Sequence, residues 1–184
     1  MPASSRVPPS LPAPWAGFLA EVGRLLSRPV TLHCLGGFVL TILYGGPRVT
    51  GDIDYIAALP SEEGRTLLAI AGAESKLGRK HRVHVQYVGV GDVPEEYEKR
   101  LTEMFPQRFS SLRLFALEVH DLVLSKLTRN SPKDAEDVKF LAAGKAISSV
   151  VLQERYYREL RPRISNGERH DLTLKLWLEE YFDR

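Results

Sequence analysis

Two carboxylates two residues apart, Asp52 and Asp54, stand in a run of strand-forming residues that follows a Gly-Gly pair and a short apolar stretch. Side chains alternate along a strand, so both acids face one side and Ile53 faces the other. Two anions held side by side repel, and one of them resists ionising unless a cation bridges the pair. Hard divalent ions such as magnesium take oxygen ligands, commonly one or two carboxylates together with substrate phosphates. Ahead of this strand, Gly36 and Gly37 turn the chain into an apolar stretch that predicts a helix over 38–44. A helix start without side chains lets backbone amides approach phosphate oxygens closely. The segment reads as a site for a metal ion and a nucleotide.

Hydrophobic periodicity supplies the frame around it. Trp15, Phe18, Leu19, Val22, Leu25 and Leu26 recur at helical spacing and predict an amphipathic helix over 15–27, broken by Pro29. Strands are expected over 30–35, 52–57, 83–88 and 112–117. Gly45, Gly46 and Pro47 end the helix at 38–44, and Ser61, Glu62 and Glu63 supply a cap and acids for a helix running to about Leu77. Further helices are expected near 95–103 and over 120–128, the latter capped by Asp121. The remainder, 133–182, reads as helical apart from a turn at 162–167. The order is α/β first and all-α later. It gives a flexible tail over 1–14, an α/β core over 15–118 and a C-terminal helical region over 119–184 packed on that core.

The bulk properties narrow the classes. A chain of 184 residues suffices for one well-cored domain. A formal charge of +2 does not by itself mark a nucleic-acid binder. The single cysteine, Cys34, excludes an intrachain disulfide and fits a reducing compartment; within its apolar run it reads as a small core residue. The proline- and serine-rich start lacks the apolar centre of a signal peptide, and no segment approaches the ~20 apolar residues that span a bilayer. A cytoplasmic protein with no membrane partner is expected.

A second group of charged residues lies further along. Lys126 and Arg129 share one helix face, and Asp134 and Asp137 share a face of the next helix. Leu122, Val123 and Leu127 would anchor the first of these helices and leave its cations to meet a triphosphate, lysine as a compact charge and arginine as a planar fork. The plainer alternative is a set of interhelical salt bridges. Arg155, Tyr156, Tyr157, Arg158, Arg161 and Arg163 form a basic and aromatic stretch suited to RNA, or else a helix with one buried tyrosine and a solvated basic face. His120-Asp121 and His170-Asp171 superficially suggest a histidine metal phosphohydrolase, but that chemistry needs further converging histidines.

Gly36, Gly37, Asp52 and Asp54, taken with the Lys126 and Asp137 group, resemble the nucleotidyltransferase superfamily with the polymerase-beta-like fold. More narrowly, the chain from about residue 30 looks like the small bacterial proteins of the DUF6036 type, related to the MenT and AbiEii toxins of toxin–antitoxin systems. Thr50-Gly51-Asp52, the helix carrying Asp121, Lys126 and Arg129, Lys133-Asp134 with Asp137, and the stretch from His170 to Trp177 carry that closer likeness. The resemblance implies an α/β (α+β) fold with a small mixed sheet followed by a C-terminal helical region. It implies catalytic roles for Asp52, Asp54, Lys126 and Asp137. The metal, magnesium with manganese as the alternative, would sit on Asp52 and Asp54. Gly36, Gly37, Thr50, Lys126 and Arg129 would line the nucleotide. Many superfamily members carry a third acid on a neighbouring strand, whereas His84, Gln86 and their neighbours offer none; either Asp137 or Glu118 would then take the acceptor's proton, or a weaker base would.

The implied reaction moves NMP from an NTP to an acceptor, the 3′ end of transfer RNA in a toxin, with a possible antitoxin partner. A small-molecule or protein acceptor is the alternative, as is a catalytically silent NTP-binding module or antitoxin partner.

Overall fold

The computed structural model describes residues 11–89, 91–144 and 147–182. Most of the expected tail, 1–10, lies outside them, and Leu11 is already buried. The chain divides into two compact units. One holds 11–89 with 101–116, and the other holds 91–100 with 117–182.

Among the described residues the first unit carries a five-stranded mixed sheet in the order β3-β2-β1-β5-β4. Its strands are β1 (Val30–Leu35), β2 (Asp52–Leu59), β3 (His84–Tyr87), β4 (Thr102–Met104) and β5 (Leu112–Ala116). β1 runs antiparallel to β2 and parallel to β5, β2 pairs parallel with β3, and β4 pairs antiparallel with β5. The central strand β1 is almost wholly buried, as an apolar run flanked by strands on both sides should be. Around the sheet lie α1 (Trp15–Leu25), α2 (Gly36–Tyr44), α3 (Glu63–Ala71) and α4 (Lys76–His81). α1 buries Trp15, Phe18, Leu19 and Val22. The Trp15 ring meets Phe38 of α2 edge-on at 4.9 Å, which fixes one helix against the other. α2 buries Phe38, Val39, Leu40, Ile42 and Leu43 and ends where Gly45 takes a left-handed conformation.

Two expectations for the elements beside the sheet strands change. The single helix to Leu77 is two helices, because the chain turns extended at Gly72 and Ser75 starts α4 by accepting the Gly78 N–H at 2.8 Å. The expected helix at 95–103 is a 3-10 turn, Tyr97–Arg100, followed by the edge strand β4. β5 offers an open edge there, and pairing with it overrides the local helix preference of a charged segment.

The second unit contains α5 (Val119–Leu127), α6 (Pro132–Ala143), α7 (Ser149–Arg155) and α8 (Gly167–Trp177). α7 continues through a π-helical turn, Tyr156–Leu160, and a 3-10 turn, Arg161–Arg163. Ser131 and Asp134 form a reciprocal capping box at α6, with Pro132 in its first turn. The cap of α5 is Glu118, which accepts the His120 N–H, and not Asp121. Asp121 is fully buried and accepts from Arg100 at 2.8 and 3.2 Å and from Arg155 at 3.0 Å. Arg100 also reaches Glu159 at 2.7 Å, so the 91–100 segment is stitched into the helical unit by charge. No helix among the described residues is long and apolar enough to cross a membrane.

Candidate functional site

In the sheet unit, β1 ends at Leu35, the register partner of Asp54, and the chain enters α2 at once through Gly36 with φ +75°. A Cβ at position 36 would lie 2.3 Å from Asp54 Oδ2, and one at position 37 would lie 3.3 Å from Thr50 Oγ1. The missing side chains are what allow an acid and a hydroxyl to rest against the start of the helix. On β2, Asp52 and Asp54 are partly exposed on one face while Ile53 and Tyr55 are buried on the other. Thr50 Oγ1 donates to Asp52 Oδ1 at 2.6 Å. On the neighbouring strand, His84 and Gln86 are the register partners of Asp52 and Asp54, so they stand on the same face as the acids. Behind the site, burial first and the Asp54 charge second push the Cys34 thiol up, which makes it a core residue and not a nucleophile.

These donors fit a hard divalent ion. Asp52 and Asp54 present carboxylate oxygens from one strand face. Among the described residues no group of three or more His, Cys, Asp or Glu converges to complete a shell. An ion held by the pair would take its remaining ligands from water and phosphate oxygens, the usual habit of magnesium.

The second cluster lies in the helical unit. Lys126 is 2% exposed, with Nζ 2.8 Å from Asp137 Oδ2 and 3.7 Å from Asp134 Oδ1. Arg129 clamps Asp134 through Nε at 2.7 Å and Nη2 at 2.5 Å. The Ser131 amide and hydroxyl donate to the same carboxylate at 3.0 and 2.7 Å. Burial alone would raise the Asp134 carboxyl, but Arg129 and Ser131 outweigh it and hold the group at about 2. The charged faces of α5 and α6 are therefore joined by interhelical ion pairs, and a phosphate reaching Lys126 competes with Asp137. The structure gathers the sequence candidates into two clusters: Gly36, Gly37, Thr50, Asp52 and Asp54 in one unit, and Lys126, Arg129 and Asp137 around Asp134 in the other.

The family model described as "Nucleotidyltransferase of unknown function (DUF6036)" matches residues 22–184. The chain belongs to this family. No curated protein and no solved structure matches it. The DUF6036 match spans every residue of both clusters.

Three other groups of candidate residues in this DUF6036 family member have partners of their own. The basic and aromatic stretch fits the second of its two readings, one buried tyrosine with a solvated face on which Tyr157, Arg158 and Arg163 are exposed. Tyr156 is fully buried and donates to Asp171 at 2.6 Å. Arg155 is paired with Glu118 and Asp121, Arg161 with Asp171, Arg158 with Glu154 and Arg163 with Glu95. Glu118 is a poor proton acceptor: burial would raise it, but bonds from His120 and Arg155 hold it at about 2. In the two His-Asp dipeptides, His120, Asp121 and Asp171 are engaged in hydrogen bonds and ion pairs. His120 Nε2 accepts the Ser148 N–H at 2.9 Å, so Nδ1 carries the proton donated to Glu118 at 2.7 Å, and Asp171 serves Arg161 and Tyr156.

The charge network of Arg100, Glu118, Asp121, Arg155 and Glu159 has no sequence signal. Asp121 meets partners 21 and 34 positions away.

Proposed function

We propose that this protein is a magnesium-dependent nucleotidyltransferase that moves NMP from an NTP to the 3′ end of a transfer RNA, acting as the toxin of a toxin–antitoxin type pair. The observation that carries the reading is the pair of acids on one face of β2, set directly against the side-chain-free start of α2, in a family of nucleotidyltransferases. The acceptor and the role rest on the relation to the MenT and AbiEii toxins that the resemblance to DUF6036-type proteins implies, a resemblance carried by Thr50-Gly51-Asp52 and the Lys126 to Asp137 segment.

In the transfer, the acceptor hydroxyl oxygen bonds to the α-phosphorus, and the bond from that phosphorus to the bridging oxygen breaks. Pyrophosphate leaves, and the hydroxyl proton passes to water. The protein's task is positioning and charge stabilisation. Asp52 and Asp54 hold the ion, and Thr50 fixes the Asp52 carboxylate. Gly36 and Gly37 present backbone amides to the phosphates. When bound, magnesium supplies the positive charge that offsets the triphosphate and the departing pyrophosphate. Lys126 and Arg129 belong to the helical unit, where they are engaged with Asp137 and Asp134.

The test is incubation of the purified protein with each α-labelled NTP, magnesium or manganese, and bulk transfer RNA, total RNA or protein. Label enters transfer RNA with the wild type and is lost in Asp52→Ala and Asp54→Ala. Label in protein or a small molecule overturns the acceptor. Undiminished transfer by Asp52→Ala overturns the site. The hold of Asp137 on Lys126 favours a second reading, an NTP-binding module without turnover. Magnesium–NTP binding with no label in any pool would establish it.

A further inference from the structure

The stretch between Glu74 and Asp92 contains no acid and carries Lys76, Arg79, Lys80, His81, Arg82 and His84. Lys76 and Arg79 are three apart and neighbours on α4, Arg82 is the left-handed residue that caps its C-terminus, and all three are exposed. Their charge is hardly offset. Arg79 meets Glu74 at 3.7 Å, with both side chains well exposed, a pairing worth little in water. Among the described residues Lys76 and Arg82 make no salt bridge. Lys80 differs, since it is committed to Glu21 at 2.7 Å. One residue after Arg82, Val83, the chain enters β3, whose His84 is the register partner of Asp52 and whose Gln86 is the partner of Asp54. Two residues, at most about 7 Å of chain, therefore separate Arg82 from the position beside the first acid.

We infer that the α4–β3 edge is the docking track for the RNA acceptor, with Lys76, Arg79 and Arg82 gripping successive phosphates and handing the terminus to Asp52 and Asp54. The inference rests on the nucleotidyltransferase reading of those acids and adds where the polyanion lies. Charge complementarity selects the occupant. A row of exposed cations leading to a site that itself holds acids suits a long phosphate backbone whose end alone enters the site. A small-molecule acceptor would need no such row. The 155–163 stretch differs, since Arg155 and Arg161 are engaged with partly buried or buried carboxylates of their own unit and Arg158 and Arg163 each stand beside an exposed glutamate, whereas Lys76 and Arg82 have none among the described residues.

The experiment is salt-dependent binding of bulk transfer RNA by fluorescence anisotropy, with the full chain in three forms. These are the wild type, Lys76→Gln/Arg79→Gln/Arg82→Gln, and a control, Arg158→Gln/Arg163→Gln. All substituted residues are exposed, and a thermal melt checks each fold. The track variant should bind at least ~10-fold more weakly near physiological salt. Its slope of log affinity against log salt should be shallower by about 2, the release expected for three phosphate contacts on a single strand. The control should match the wild type. Magnesium–NTP binding, read as thermal stabilisation, should be equal in all three. Equal affinity and slope for the track variant, equal loss in the control, or no salt-dependent binding by the wild type would each overturn the track. Loss of NTP stabilisation in the wild type would instead overturn the underlying reading of the acids.

Discussion

Thr50 donates a 2.6 Å hydrogen bond to Oδ1 of Asp52, and the same hydroxyl lies where a side chain at position 37 would press on it. The hydroxyl proton is spent on the carboxylate, which makes Thr50 a positioning residue for an ion ligand. Thr50→Val should raise the magnesium concentration needed for half-maximal transfer by roughly ten-fold, an effect on the order of one charge-assisted hydrogen bond. Thr50→Ser should restore it. A metal titration of both variants at saturating NTP decides the matter, and equal curves for Val and the wild type would remove the role.

Gly36→Ala meets two obstacles at once. The residue sits at φ +75°, and its new Cβ would collide with Asp54 Oδ2. Left-handed backbone costs an alanine about 1–2 kcal/mol, so the melting temperature should fall only modestly. Transfer, if it needs Asp54 in place, should fall by two orders of magnitude or more. Parallel melts and label-transfer rates test this, and a variant that loses stability without losing rate would show that Asp54 is not needed where it stands.

Lys126 is buried and pairs with Asp137 at 2.8 Å, while Asp134 keeps Arg129, so removing Lys126 takes one buried cation out of this cluster. Lys126→Ala should cost on the order of 3–5 kcal/mol in urea unfolding. The paired change Lys126→Met/Asp137→Leu removes both charges and should recover much of the stability. If that stable double variant still binds magnesium–NTP as tightly as the wild type, Lys126 is a strut and not a phosphate ligand.

Acid stability follows from two carboxyls. Asp134 and Glu118 are each held near 2 in the folded protein, below their ordinary 3.8 and 4.5. Groups depressed on folding contribute stability above their unfolded values and lose it as protons bind the native state. The two should contribute about 2–3 kcal/mol each at neutral pH. Urea midpoints should be level from pH 7 to about 5 and fall between about 4.5 and 2. Arg129→Met should flatten the part due to Asp134, and Arg155→Met the part due to Glu118. An unchanged acid limb in both would contradict the assignment.

What was legible in the sequence was local. Asp52 and Asp54 share a face because strands alternate, and Gly36 precedes a helix because glycine admits the turn; neither needs a distant partner. The break at Gly72 was also written locally, in a glycine followed three residues later by a capping serine, and was masked by the apolar residues on either side. Other features depended on distant chain. β4 exists because β5 offers an edge ten residues on, and Asp121 is a buried acid because Arg100 and Arg155 come to it. Tyr156 left the surface because Asp171 accepts its hydroxyl from the next helix. Charge spacing alone could not tell Lys126 facing a ligand from Lys126 facing Asp137.

The excursion of 91–100 into the helical unit, tied there by Arg100, has a consequence for how such a gene can change. The polypeptide leaves the sheet, visits the helices, comes back to add β4 and β5, and departs again. No single cut yields two self-sufficient halves, for a stop after Ala116 would orphan the guanidinium of Arg100 from Asp121 and Glu159. Recombination that swaps the C-terminal helices as a cassette would have to replace that inner loop in the same event, so the two parts should be inherited together.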